Sequence, residues 1–205
     1  ARYNGTEIVM MAPDYNPSTV CADIHAPVKV GGDAAFWLGV SYVIVSEELY
    51  DVPFVKEQTD LALLVRTDTG RFLRAPDLTG EGREDQLYFY DLTTQAIVPA
   101  PRGTLDFEGD QALEGSYQVT LANGEEVTVR PGFESMKERL EDYTPELAAE
   151  KSGVPANLII ELGRKVASKV TASYIGFSSA KTYHGDLFER ALILAMGLTG
   201  NWGKP

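Results

Sequence analysis

The sequence has little of what usually carries chemistry unaided. Cys21 is the only cysteine in 205 residues, which excludes an internal disulfide and a thiolate cage for zinc or an iron–sulfur cluster. Only two histidines, His25 and His184, are present, and neither a Ser/His/Asp triad nor a metal-ligand cluster can be assembled around them. No stretch approaches the roughly 20 consecutive apolar residues of a membrane span. Basic residues are outnumbered 18 to 30, for a formal charge of -12. That argues against a nucleic-acid partner, which needs a basic face to neutralise phosphates. Gly-x-Gly-x-x-Gly is also missing, and with it the ordinary nicotinamide or flavin fingerprint. There is no signal-peptide pattern, internal repeat or low-complexity tract.

The chain does hold enough apolar material, 44% of its residues, to pack a core. Glu7-Ile8-Val9-Met10-Met11 reads as a buried strand stopped by Pro13-Asp14. Ser18 or Thr19 starts a brief helical turn, and Ile24 to Val30 suits a second short strand. Gly31-Gly32 punctuates the chain, and Asp33 is the expected N-cap of a buried helix from Ala34 to about Glu48. Strand, turn, strand, turn and helix in this order predict an α/β fold, with a Rossmann-like parallel sheet over residues 1–83.

Residues 51–83 read as mixed and loop-rich. Residues 84–130 form a β-rich insertion, where Asn123-Gly124 between two alternating runs is a strong hairpin signal. Residues 131–205 turn helical. Glu134–Asp142, a helix opened by Thr144-Pro145 and Ala156–Ser168 are followed by an apolar strand, Ala172–Phe177, and a buried helix, Glu189–Leu198, closed by Gly200. The opening Ala1-Arg2-Tyr3 lacks an initiator Met, and the close follows directly on an apolar run. A piece cut from a larger multi-domain subunit is the expectation.

Three places have the makings of a site. Asp14 follows a strand, where a carboxylate can accept hydrogen bonds from both hydroxyls of a ribose; the alternative is a turn-initiating Asp. Gly31 and Gly32 let backbone approach a ligand closely, and the Asp33 carboxylate matches the paired N–H donors on guanine's Watson–Crick edge; the alternative is a helix cap after a flexible turn. The stretch Gly176 to Asp186 follows a predicted strand and contains Ser178, Lys181 and His184. Lys181 can offer a cation to an anionic oxygen, and His184 can donate a hydrogen bond or move a proton; the alternative is a solvated surface loop. Cys21 and His25 are expected to be structural, Cys21 as a small buried residue. Trp37 and Trp202 suit packing.

Together these pieces resemble one family. Ala12-Pro13-Asp14-Tyr15-Asn16, Ala22-Asp23, Val30-Gly31-Gly32-Asp33-Ala34-Ala35 and Ile44 to Asp51 look like the molybdopterin oxidoreductases of the dimethyl-sulfoxide-reductase superfamily. Tyr143-Thr144-Pro145-Glu146, Ser152-Gly153-Val154-Pro155 and Leu198 to Pro205 match in the same order. The resemblance covers nearly the whole chain. The hairpin region and Lys181 to Asp186 are most similar to the type II branch, which includes respiratory nitrate, selenate, chlorate and perchlorate reductases, dimethylsulfide dehydrogenase and ethylbenzene dehydrogenase.

The resemblance implies a molybdenum oxidoreductase catalytic subunit performing two-electron redox with oxygen-atom transfer or hydroxylation. It implies molybdenum held by two molybdopterin guanine dinucleotides (bis-molybdopterin guanine dinucleotide), a 4Fe-4S cluster in a preceding N-terminal part, and a metal-ligand Asp outside this chain. By position, Asp14, Gly31, Gly32 and Asp33 fall on family segments that bind one guanosine. Gly176 to His184 falls near the pterin and the active-site funnel, with Gly176 and Ser178 on the cofactor side and Lys181 and His184 on the catalytic side. Gly31-Gly32 departs from the Pro-Gly or Gln-Gly that the family usually places before Thr-Asp. The implied partners are an iron–sulfur electron-transfer subunit, in some members a haem subunit, and a small-molecule substrate: an oxyanion, a sulfide or a hydrocarbon. The implied compartment is the periplasm, or the cytoplasm as for respiratory nitrate reductases. The rival reading is a freestanding nucleotide-binding α/β module without catalysis.

Overall fold

A computed structural model describes residues 2–103, 107–175, 181–183 and 185–203. The chain divides into two compact units, one made of residues 1–50 and 140–205 and the other of residues 51–139. The sequence reading instead places breaks after residues 83 and 130. Strand pairing accounts for the difference, because a strand from before residue 84 lies in the same sheet as the hairpin that follows it.

The first unit opens with β1 (Val9–Met11) and β2 (Ile24–Ala26). They pair in parallel with Val9 opposite Ile24 and Met11 opposite Ala26. A 3-10 turn, Thr19–Cys21, lies between them. Cys21 within it is exposed, which corrects the expectation of a buried thiol: a single turn this short has no inward face at Cys21, whereas neighbouring Thr19 is buried.

Helix α1 (Asp33–Ser46) is the centre of this unit, and α5 (Pro145–Ser152), α6 (Ala156–Ser168) and α7 (Gly185–Leu198) all pack on it. Three neighbours require apolar residues around most of the helix, and Phe36, Trp37, Val40, Val43, Ile44 and Val45 are all buried. Glycines allow the close crossings. A Cβ on Gly39 would lie 2.6 Å from Ala148 Cβ and 3.2 Å from Ile159 Cγ2. On α6, a Cβ on Gly163 would lie 3.0 Å from Val43 Cγ1 and 3.4 Å from the Val40 carbonyl. Thr144 caps α5 by accepting from Leu147 N–H, with Pro145 in the first turn, as its sequence predicts.

Asp33 is not the N-cap of α1. The cap is Gly32, whose carbonyl accepts from Phe36 N–H at 3.1 Å and so begins the helix. Asp33 falls in the first turn instead, where a carboxylate is favoured by the helix dipole. The predicted strand Ala172–Phe177 is not found over its described part, residues 172–175. Tyr174 is 99% exposed, and the preceding Thr171 N–H donates to Asn201 Oδ1 at 2.9 Å rather than to a strand. Asn201 also donates through Nδ2 to the Val166 carbonyl at 3.1 Å, satisfying a carbonyl that the end of α6 leaves open. The last helix starts at Gly185, earlier than the periodicity suggests. Trp202 is half exposed and lies over Gly197.

Among its described residues the second unit has two antiparallel sheets. Strands β3 (Leu64–Arg66), β6 (Tyr117–Thr120) and β7 (Glu126–Pro131) run in the order β3-β7-β6. Strands β4 (Tyr88–Asp91) and β5 (Ala96–Pro99) form a hairpin. The β6–β7 turn is the one Asn123-Gly124 predicts, with Gly124 at φ +85°. Leu64, Leu73, Val119, Leu121 and Val129 form the core beneath the three-stranded sheet. Among the described residues this part of the chain also carries α2 (Val52–Gln58), α3 (Ala75–Thr79) and α4 (Gly132–Leu140).

Asp91 organises the β4–β5 turn. Buried to 2% exposure, its carboxylate accepts from the backbone N–H groups of Asp110 (2.9 Å), Thr93 (3.0 Å) and Thr94 (3.2 Å) and from Thr94 Oγ1 (2.7 Å). The Asp110 amide first, then the Thr94 hydroxyl, hold the carboxyl down to about 2. A folded value below the unfolded one stabilises above the ordinary carboxylate range and is lost as pH falls toward the folded value. Asp91→Asn is therefore expected to lower the unfolding midpoint of the chain at neutral pH. The gap to wild type should narrow between pH 4 and pH 2 as the wild-type carboxylate protonates, and thermal melts across that range would show it. A gap independent of pH would mean the turn does not depend on the charge.

Candidate functional site

Because β1 and β2 are parallel, the loops that follow them leave the sheet at the same edge. This is the edge at which open α/β sheets bind ligands. Asp14 lies in an exposed bend after β1, and Gly31, Gly32 and Asp33 follow β2. Asp14 and the Gly31–Asp33 turn thus both follow the C-terminal ends of the two paired strands. Lys181 sits at an exposed position shortly before α7. Gly176, Ser178 and His184 lie outside the described residues.

The Asp14 loop is held from both sides. His25 on β2 puts Nε2 3.0 Å from the Ala12 carbonyl, and its ring meets Tyr15 edge-on at 5.6 Å. Asn16 Oδ1 accepts from Ser18 N–H at 3.0 Å and Thr19 N–H at 3.3 Å, a side-chain turn that fixes the downstream arm. His25 is therefore occupied in structure, as its setting beside Pro27 suggests.

The Gly-Gly turn closes with Gly32 N–H donating to the Lys29 carbonyl at 2.8 Å. Gly31 takes φ +83°, with nothing within 4 Å of where a Cβ would be. A positive φ in the third position of a tight turn selects glycine. Gly32 is required for another reason: its Cβ would stand 2.8 Å from Ser152 Cα and 3.0 Å from the Ser152 carbonyl oxygen. The Lys29 N–H donates to that same carbonyl at 2.7 Å, and Lys29 Nζ donates to the Glu150 carbonyl at 3.2 Å, at the end of α5. The Lys29 stem covers Gly153, which closes α5 at φ +80° and whose Cβ would meet Lys29 Cγ at 2.8 Å. So the turn before α1 is seated on the turn after α5.

Sequence reasoning passes over Lys29 and gives Ser152 and Gly153 no role at the sheet edge. The Ser-Gly-Val-Pro run marks a helix boundary, but nothing local connects it to Gly32.

Asp33 differs electrostatically from an ordinary surface carboxylate. Burial pushes its carboxyl up, and the backbone amides of Asp33 and Gly31 draw it part of the way back. A shielded acceptor at a helix N-terminus suits a ligand that brings N–H or O–H donors. Among the described residues no group of three or more His, Cys, Asp or Glu side chains could hold a metal ion. No helix among them is long and apolar enough to cross a membrane.

No protein-family model matches the chain. It is 38% identical over 232 aligned residues to perchlorate reductase subunit alpha of Dechloromonas aromatica (strain RCB), an alignment covering 100% of this chain and 25% of that protein. To dimethylsulfide dehydrogenase subunit alpha of Rhodovulum sulfidophilum it is 35% identical over 213 residues, covering 100% of this chain and 23% of the other. The chain therefore spans about a quarter of the length of these curated relatives. Among solved structures, acetylene hydratase from Pelobacter acetylenicus superposes on 98% of the chain and 18% of its own length, with a TM-score of 0.59 at 19% identity. That likeness fixes the mixed α/β fold and nothing finer. Over the section it spans, the chain belongs to the molybdopterin oxidoreductases of the dimethyl-sulfoxide-reductase superfamily, in the type II branch of alpha subunits.

Proposed function

We propose that this chain is part of the catalytic alpha subunit of a molybdenum oxidoreductase and supplies one guanosine-binding edge for a molybdopterin guanine dinucleotide. The observation that carries the reading is that Asp14 and the Gly31–Asp33 turn both follow the C-terminal ends of parallel β1 and β2, in a chain of this family. The fit is chemical as well as topological. Asp14 has acceptor capacity for ribose hydroxyls, Gly31 leaves an open side, and the shielded Asp33 carboxylate offers two oxygens to the N–H edge of guanine. When bound, the cofactor supplies the two-electron redox chemistry, and the protein supplies binding and orientation.

On this reading β1 and β2 are two strands of a larger Rossmann-like parallel sheet. On the same reading Lys181 and His184 serve the substrate, and Gly176 and Ser178 serve the cofactor. The subunit also carries a 4Fe-4S cluster, works with an iron–sulfur partner and in some members a haem partner, and resides in the periplasm. The substrate is a small oxyanion, sulfide or hydrocarbon.

Elemental and nucleotide analysis of the purified subunit containing this chain tests the core of the proposal. Molybdenum accompanied by GMP released on acid hydrolysis is the expected result, and its absence from a fully loaded preparation would overturn it. For Lys181, the expected effect of Lys181→Ala is a fall in turnover of about 100-fold or more with molybdenum content unchanged, from the lower end of what a positioned proton donor contributes upward. Unchanged turnover would remove Lys181 from the site.

A further inference from the structure

The Gly31–Asp33 turn is built against a part of the chain more than a hundred positions away. Four observations meet there: Gly32 fits against the backbone of Ser152, the Lys29 N–H bonds the Ser152 carbonyl, Lys29 Nζ bonds the Glu150 carbonyl, and the Lys29 stem lies over Gly153. Ser152 is fully buried, and its hydroxyl accepts from Val154 N–H at 3.2 Å, which fixes the course of the α5–α6 turn. Gly153 must be glycine both for its left-handed backbone and for the lysine stem. Lys29, Ser152 and Gly153 are assigned no ligand contact of their own, and the space a ligand would approach at Gly32 is taken up by Ser152. Their common effect is to set where the Asp33 carboxylate and the open side of Gly31 stand.

We propose that Lys29 and the Ser152–Gly153 turn are positioning residues for guanine-dinucleotide binding, acting on the ligand only through the Gly31–Asp33 turn. The inference rests on the function proposed above. Gly32 accordingly serves as a docking point for Ser152, and Gly31 is the glycine that faces the ligand. A ligand-binding turn held by an outer layer of contacts loses affinity when that layer is loosened, even though every contacting group remains.

The test uses the alpha subunit containing this chain, prepared without cofactor and titrated anaerobically with molybdopterin guanine dinucleotide extracted from a donor holoenzyme. Binding is read as GMP retained per polypeptide, and folding as the melting midpoint of the cofactor-free protein. Gly153→Ala is expected to weaken uptake about tenfold, with full occupancy recovered at excess cofactor. Lys29→Met, a surface change that keeps the stem, should weaken it less, and Lys29→Arg should restore it. The double variant Lys29→Met/Gly153→Ala should lose less than the product of the single effects, because both act through one seat.

Wild-type affinity in both single variants, alongside loss of binding in Asp33→Ala, would overturn the positioning role and leave the function intact. An occupancy deficit that excess cofactor cannot repair, matched by a fall in melting midpoint, would also overturn it, since that is a folding defect. Undiminished binding in Asp33→Ala would remove the parent reading and this inference together.

Discussion

Replacing Asp33 by Ala in the alpha subunit that contains this chain should cut guanine-dinucleotide affinity by roughly 10- to 100-fold, the equivalent of one bidentate carboxylate–base pair. The melting midpoint should barely change. Asp33 is not the cap of α1, since Gly32 provides that function, so its removal leaves the helix start in place. Burial holds its carboxyl above the ordinary carboxylate value of 3.8, and that elevation gives the prediction a second arm. Acidification protonates Asp33 before a typical surface carboxylate, and a protonated carboxyl offers guanine one acceptor fewer. Dinucleotide uptake should therefore begin to fall on the acid side at a pH above 3.8, and the Asp33→Ala protein should lack this component. GMP retention measured against pH in both proteins decides the matter. Full retention in the variant would mean that Asp33 makes no base contact.

The second large effect is on stability. Gly39→Leu should destabilise the first unit by more than about 3 kcal/mol, a large share of the roughly 5–15 kcal/mol that holds a domain together. Even the first carbon of the new side chain would stand 2.6 Å from Ala148 Cβ and 3.2 Å from Ile159 Cγ2. To admit the rest, α1 must separate from α5 and α6, and the buried Phe36, Val40 and Ile44 would lose their neighbours. A helical glycine is not unfavourable to replace in general. Gly197→Ala on α7 would place its methyl 3.8 Å from the Trp202 indole, an ordinary contact, and should gain up to about 1 kcal/mol from helix propensity. Thermal melts of the two variants should move in opposite directions. A Gly39→Leu protein that melts with wild type would show that the helices do not cross closely at that point.

Some of this architecture could be read in the sequence because its signals are local. The Ser-Gly-Val-Pro punctuation before Ala156 places α6 at its observed ends. Asn123-Gly124 between two alternating runs gives the β6–β7 hairpin, and the crowded apolar residues of α1 announce a helix enclosed on several sides. Helix α2 also carries a local signal, Asp51 with Pro53, and Asp51 does accept from Phe54 N–H; among loop-like neighbours it escapes notice. Other errors arise from tertiary context. Asp33 has the right chemistry for an N-cap, yet the Lys29–Gly32 turn passes the capping position one residue upstream. The apolar run from Ala172 predicts a strand, but Asn201 takes the backbone at Thr171 and Tyr174 stands in solvent. At the candidate site, Asp14 and Asp33 are proposed from residue type and position alone. The seat formed by Lys29, Ser152 and Gly153 cannot be found that way, because nothing near Gly32 in the chain says which distant backbone will press against it.

The first unit is assembled from two stretches separated by residues 51–139, and this has a consequence for biosynthesis. Helix α1 leaves the ribosome well before α5, α6 and α7 exist. At about 5–20 residues per second, it waits roughly 8–30 s until all three have been made. During that interval its apolar surface has no native cover, while the intervening second unit is a continuous stretch with its own core and can fold in passing. The nascent chain therefore exposes an apolar helix, residues 33–46, until its partners follow, and a holding chaperone that recognises apolar helical segments is expected to bind there.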